Sequence, residues 1–158
     1  MTSLIDTFWV KLGVVLLAII SPWICLFSIG ELDSYSQYWS TDMRPLFIFT
    51  NAATSYFLFS MKNWWMSAVC LMLLTAFSFD QYNTIHNVTA IAFFLINGVL
   101  LLKQKRFRYL VIPYFSSVII LFLFGIYWAE VLAISVICAY HYIRLLTYNK
   151  LERLRKNR

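Results

Sequence analysis

Apolar residues in this chain come in six long runs, separated by short polar breaks where charged residues, prolines and glycines collect. A helix that crosses the hydrocarbon of a bilayer needs about twenty such residues, and fewer where its polar ends reach the headgroups. The pattern predicts six membrane-spanning helices, at Phe8–Ile29, Pro45–Met61, Trp64–Phe79, Thr84–Leu102, Phe107–Tyr127 and Trp128–Tyr148. The second and third are short, so they call for a thin bilayer, oblique packing or a shifted boundary. No hydrophilic linker divides the runs, and the longest break, residues 30–44, is only about fifteen residues long. The expected fold is therefore an all-α, polytopic bundle of about six transmembrane helices over residues 1–148. Residues 149–158 form a basic tail that continues the last helix.

Composition agrees with that class. With 61% hydrophobic and 13% charged residues and a mean hydropathy of +0.72, too little polar surface is left to coat a water-soluble globule. The charges also sort by sign. Lys62 falls between spans two and three, Lys103, Lys105, Arg106 and Arg108 between four and five, and the basic residues from Arg144 to Arg158 follow span six. These alternate breaks, with Lys11 near the start, hold all of the 13 Lys and Arg except Arg44. Of the 7 acidic residues, Glu31, Asp33, Asp42, Asp80 and Glu130 fall on the opposite side. Short basic loops stay cytoplasmic, so both termini are expected in the cytoplasm. Topology accounts for the basic excess, and no nucleic-acid partner is expected. The first run carries Lys11, continues through Ser21-Pro22 and lacks a clear small-residue cleavage site, so it is expected to remain as a helix. Cys25, Cys70 and Cys138 lie in different spans and read as small buried hydrophobes rather than a disulfide framework.

Polar residues inside spans are costly unless they face protein or water, which makes them informative. Asn51, Thr54 and Ser55 stand at i, i+3 and i+4 and share one face of span two, beside Thr50. With Ala52 and Ala53 they suit close helix packing, and they equally suit the lining of a solute path. Thr89, Ala90, Asn97 and Gly98 of span four admit the same two roles. Pro22 and Pro113 each remove a backbone donor and are expected to bend their helices, with Ser21 or Ser116 placed to re-satisfy a freed carbonyl. Tyr127, Trp128 and the Trp64-Trp65 pair suit the aromatic belt at the membrane surface. Tyr35, Tyr38 and Trp39 in the first long break suit either a loop lying on the bilayer or a lid.

Chemistry could reside at the outer surface, where Asp80 ends span three, His86 opens span four and Glu130 opens span six. A histidine with carboxylates can hold a divalent cation or activate water, so these three are the candidates for catalysis or for metal. No spaced histidine motif and no Gly-x-Ser-x-Gly elbow supports them, and no cofactor is implied. An ion pair of the Arg44–Glu130 type is the simpler use of the same charges. In the tail, Leu145, Tyr148, Leu151 and Leu154 share a side of a helix. Arg144, Lys150, Arg153, Arg155 and Lys156 would then meet anionic lipid or a partner, each gaining about 1 kcal/mol from the leaflet.

Several of these features together carry a resemblance. Asp42-Met43-Arg44-Pro45 leads from an acidic first loop into span two, His86 is followed by Ala90 and Phe93-Phe94, and Glu130 opens the last span. In this the chain resembles a shortened member of the damage-regulated autophagy modulator family, which includes relatives acting on glycosylphosphatidylinositol anchors. The resemblance implies a six-helix bundle concerned with membrane lipid, with His86 and Glu130 as the positions carried over. Three functions stay open: a component that binds membrane lipids or a partner subunit, a lipid-processing hydrolase using the outer residues, and a homo-oligomeric channel or small transporter.

Overall fold

The structure, a computed structural model, describes residues 8–156, and side chains as far as residue 149. It is all-helical, with 85% of the chain in helix and no strand among the described residues. α1 spans Phe8–Ile29, α2 Arg44–Phe59, α3 Trp65–Ala76, α4 Asn83–Lys103, α5 Val111–Phe124 and α6 Ile126–Lys156. Two 3₁₀ segments, Tyr35–Ser40 and Lys105–Leu110, precede α2 and α5.

Helix ends follow local chemistry. Gly30 (φ +105°) closes α1 with its N–H on the Leu26 carbonyl at 2.8 Å, a backbone turn open chiefly to glycine. Pro45 occupies the first turn of α2, where a missing N–H costs nothing. Asn63 (φ +76°) reverses the chain between α2 and α3, and Gly125 (φ +93°) between α5 and α6. Lys103 sits in the last turn of α4, where cations are favoured.

Four helical segments are long and apolar enough to cross a membrane: Phe8–Ile29, Asn83–Lys103, Lys105–Phe124 and Ile126–Asn149. The other two fall short of that measure. α2 has 16 residues and α3 has 12, or about 24 and 18 Å at 1.5 Å per residue. α3 stops early because Phe77 turns extended and the chain bends through Ser78 to Gln81 instead of continuing to Phe79. The α5–α6 boundary also moves, since the break at Gly125 gives Tyr127 to α6.

Neighbouring helices pack in chain order, and α1 closes against both α2 and α6. The bundle has two distinct ends. At one, Trp64 before α3 stacks on Tyr140 of α6, and Phe107 before α5 meets the same ring edge-on. Lys62, Lys103, Lys105, Arg106, Arg108 and Arg144 gather there, and this is the basic end. At the other, the 30–43 segment folds over the helices, with Glu31, Asp33, Asp42, Asp80 and Glu130 around it. The side chains of Lys150, Arg153, Arg155 and Lys156 lie outside the described residues, although the helix that bears them runs on to Lys156.

Several local expectations are corrected. Trp64 and Tyr127 do not join a surface belt: both are buried, Trp64 against Tyr140 and His141, and Tyr127 with its hydroxyl on the Pro22 carbonyl at 2.8 Å. Only Trp65 of the first pair is exposed. Ser21 bonds the Tyr35 hydroxyl (2.9 Å) rather than a carbonyl freed by Pro22. Pro113 lies in the first turn of α5, where its missing N–H opens no gap, and Ser116 donates to Ile112 at 3.0 Å. Ala52 faces outward, and the close α2–α3 approach is instead made at Ala68.

Candidate functional site

The 30–43 segment is a cap tied into the bundle rather than a loop lying beside it. Its 3₁₀ turn pushes Tyr35 and Tyr38 inward among Cys25, Phe47, Tyr127 and Val131. Burial pushes both phenols above their ordinary pKa, so they remain neutral hydrogen-bonding groups. The cap is then tied at several points. Tyr35 N–H donates to Glu130 Oε2 (2.7 Å), Tyr127 N–H to the Asp33 carbonyl (3.0 Å) and Trp39 Nε1 to the Thr75 carbonyl (3.1 Å). Ser40 donates to the Asp80 carboxylate. Arg44 lies over the Trp39 ring at 3.9 Å, a cation–π contact in place of the expected pairing with Glu130.

Asp80, His86 and Glu130 thus each serve a different partner. His86 is 1% exposed, and its Nδ1 donates to the Phe77 carbonyl at 2.8 Å, satisfying the carbonyl left where α3 ends. Phe79 covers the ring edge-on. Among the described residues, no three His, Cys, Asp or Glu side chains are grouped so as to hold a metal ion. What the sequence groups by depth, the structure divides: Glu130 and Asp80 tie the cap, and His86 meets the end of α3.

The polar stripe of α2 and α4 divides in the same way. Ser55 donates to the Ala68 carbonyl at 2.7 Å, joining α2 to α3. Asn97 Nδ2 donates to Ser67 Oγ (2.8 Å) and the Phe93 carbonyl (2.7 Å), joining α4 to α3. These two are packing residues. Asn51 and Thr54 face an internal cavity instead, with Thr50 and His141.

A larger feature lies between α4, α5 and α6. α5 leans on α6 more than on α4, and where it meets α4 the contact runs through the Tyr114 hydroxyl on the Phe94 carbonyl (2.6 Å) and around Gly98. Only a glycine fits easily there, because a Cβ would stand 3.2 Å from Tyr114 and 3.3 Å from Phe115. The remaining space is a crevice of about 630 Å³. It opens sideways, since Ile91, Leu95, Val99 and Val118 are each at least half exposed. Its lining is graded along the helix axis. Toward the basic end it is apolar, with Phe94, Leu95, Gly98, Phe115 and Val118. At the cap end it is polar, with Asp33, Ser36, Gln37, Asn87 and Glu130, and no Lys or Arg lines it.

The sequence carries no motif for this crevice, which depends on α5 diverging from α4. The local hints are Ala90 and Gly98, small residues that line it from α4. No family model, no curated protein and no solved structure matches the chain.

Proposed function

We propose that this is a multi-pass membrane protein that binds one lipid in the α4–α5–α6 crevice, with the acyl chain between α4 and α5 and an ammonium-bearing headgroup at the cap. The single observation that carries the reading is the graded crevice. It has the size of a small-molecule site, is apolar along its length, and is polar and acidic where it meets the cap. Each methylene taken from water gains about 0.8 kcal/mol, but a chain already in a bilayer gains little from burial alone. Selectivity must therefore come from the polar end. Asp33 and Glu130 with no cation beside them favour a cationic headgroup such as ethanolamine or choline over a purely anionic one.

In this reading the chain crosses the bilayer six times, with both termini in the cytoplasm and the cap outside. Gathering every described Lys and Arg except Arg44 at or toward one end favours that orientation. α2 and α3, too short to span alone, would be completed by the buried turn at Trp64 and the cap at the other end. The resemblance to damage-regulated autophagy modulators, with its concern for membrane lipid, points the same way.

The test is native mass spectrometry of the protein released from nanodiscs containing phosphatidylethanolamine and phosphatidylglycerol. One retained phosphatidylethanolamine is expected. Val118→Trp, which fills the crevice from a half-exposed position, should lose it. The neighbouring Ile119→Trp, exposed but outside the lining, should keep it. Retention by Val118→Trp sinks the proposal.

A further inference from the structure

Inside the bundle, a second cavity of about 50 Å³ lies among α1, α2, α3, α4 and α6, and shares no lining residue with the lipid crevice. Most of its wall is apolar, and of the polar residues Ser21 and Tyr35 bond each other, whereas Thr50, Asn51, Thr54 and His141 face it without such a pairing. Thr50 and His141 are each 2% exposed and Asn51 8%. Thr50 Oγ1, Asn51 Nδ2, Thr54 Oγ1 and both ring nitrogens of His141 are buried without a protein hydrogen-bond partner. Almost all buried polar groups in folded proteins find a partner, so five unpartnered atoms around one cavity demand an explanation.

The threonines make the case specific. A hydroxyl on a membrane helix ordinarily bonds the carbonyl four residues earlier. Thr75, Thr89, Ser135 and Thr147 all do so here, at 2.7, 2.7, 2.7 and 2.9 Å. Thr50 and Thr54 forgo this bond while standing against the cavity. His141 is likewise enclosed by Phe57, Trp64 and Tyr140 at centroid distances of 5.3, 4.4 and 4.9 Å, none of which accepts or donates a bond to its ring nitrogens.

We propose that this cavity is a binding site for a small, uncharged, hydrogen-bonding ligand. Its volume accommodates about four waters, each needing roughly 10–15 Å³, or one solute of that size. Charge is excluded, because no carboxylate, Lys or Arg lines the wall to balance a desolvated ion. Hydroxyls donate and accept, the Asn51 amide donates, and a neutral imidazole does one of each at its two nitrogens. The set is matched to water or to a small neutral polar molecule, and it holds whether or not the crevice binds lipid.

The experiment uses the full chain in nanodiscs and compares the Tm of Thr50→Val and Thr54→Val with the wild type, with His141→Phe as a third variant. Thr→Val is isosteric, so folding is preserved if the hydroxyl has no ligand to lose. Occupancy predicts a Tm lower by about 2–4 °C for each threonine variant, the size of one lost hydrogen bond in a chain of this length. An unchanged or raised Tm overturns the site, since removing a desolvated hydroxyl from a dry cavity relieves the protein. Solid-state NMR with magnetisation transfer from water to the His141 ring identifies the occupant. Transfer assigns water; no transfer, with a small neutral molecule recovered from denatured protein, assigns a solute. A lowered Tm with neither overturns the proposal, because it then reports packing alone.

Discussion

The tie between Glu130 and the cap is the interaction whose loss should be easiest to apportion. Glu130 Oε2 accepts the Tyr35 N–H at 2.7 Å, reaching from the second turn of α6 to the 3₁₀ turn of the cap. A hydrogen bond to a charged group is worth about 1.5–3 kcal/mol, and a neutral one about half as much. Glu130 is partly exposed, so the lower part of that range applies, about 2 kcal/mol for Glu130→Ala and about 1 kcal/mol for Glu130→Gln, which keeps an acceptor. At about 2–4 °C per kcal/mol, the Tm should fall by about 4–8 °C and 2–4 °C respectively. The loss should be local, because Tyr127 N–H on Asp33 and Trp39 Nε1 on Thr75 still hold the cap's two flanks. Thermal unfolding in nanodiscs followed by tryptophan fluorescence gives the Tm, and hydrogen exchange over residues 31–43 reports the cap. Faster exchange there, graded Ala over Gln over wild type, is expected. Equal behaviour of the two variants, or wild-type exchange in Glu130→Ala, would refute the assignment of Glu130 as the anchor.

Two further outcomes follow from the packing and the charge distribution. Asn97→Ala should destabilise the protein by about 1–3 kcal/mol, because it breaks the bond to buried Ser67 and leaves a void between α3 and α4; chemical denaturation in mixed micelles measures it, and a loss below 0.5 kcal/mol (about the error of such a measurement) contradicts the clamp. In a cysteine-free background, Ser36→Cys should react with a membrane-impermeant maleimide added outside right-side-out vesicles, and Lys62→Cys only after permeabilisation; the reverse pattern would invert the orientation.

The helices themselves were readable in the sequence because long hydrophobic runs bounded by polar breaks mark helical segments directly. α1 occupies Phe8–Ile29 as expected, and each of the other five helices overlaps its expected stretch, although α6 starts two residues earlier and runs eight residues past Tyr148. What length could not convey was termination. α3 ends at Ala76, where Phe77 turns extended and its carbonyl is met by the His86 ring, a tertiary contact with no local signature. His86 stands out in the sequence as a histidine near carboxylates; in the fold its Nδ1 is bonded to backbone, while its Nε2 is buried without a protein partner. The polar stripe on α2 was legible as a stripe, but Ser55 packs while Asn51 and Thr54 face a cavity, a division set by where α3 and α6 stand. The crevice between α4, α5 and α6 was legible only as small residues on α4, since most of its wall is ordinary apolar side chains and its volume comes from how little α5 touches α4.

The most direct measurement of the central claim is photo-crosslinking in proteoliposomes with phosphatidylethanolamine carrying a diazirine along its acyl chain, followed by peptide mapping. A bound lipid predicts adducts concentrated on the facing stretches 90–99 of α4 and 114–121 of α5, reduced by Val118→Trp. Adducts spread evenly over outward residues such as Trp9, Phe27 and Phe122, which are 72%, 83% and 82% exposed, would mean that the protein meets lipid only as solvent, and would contradict the account.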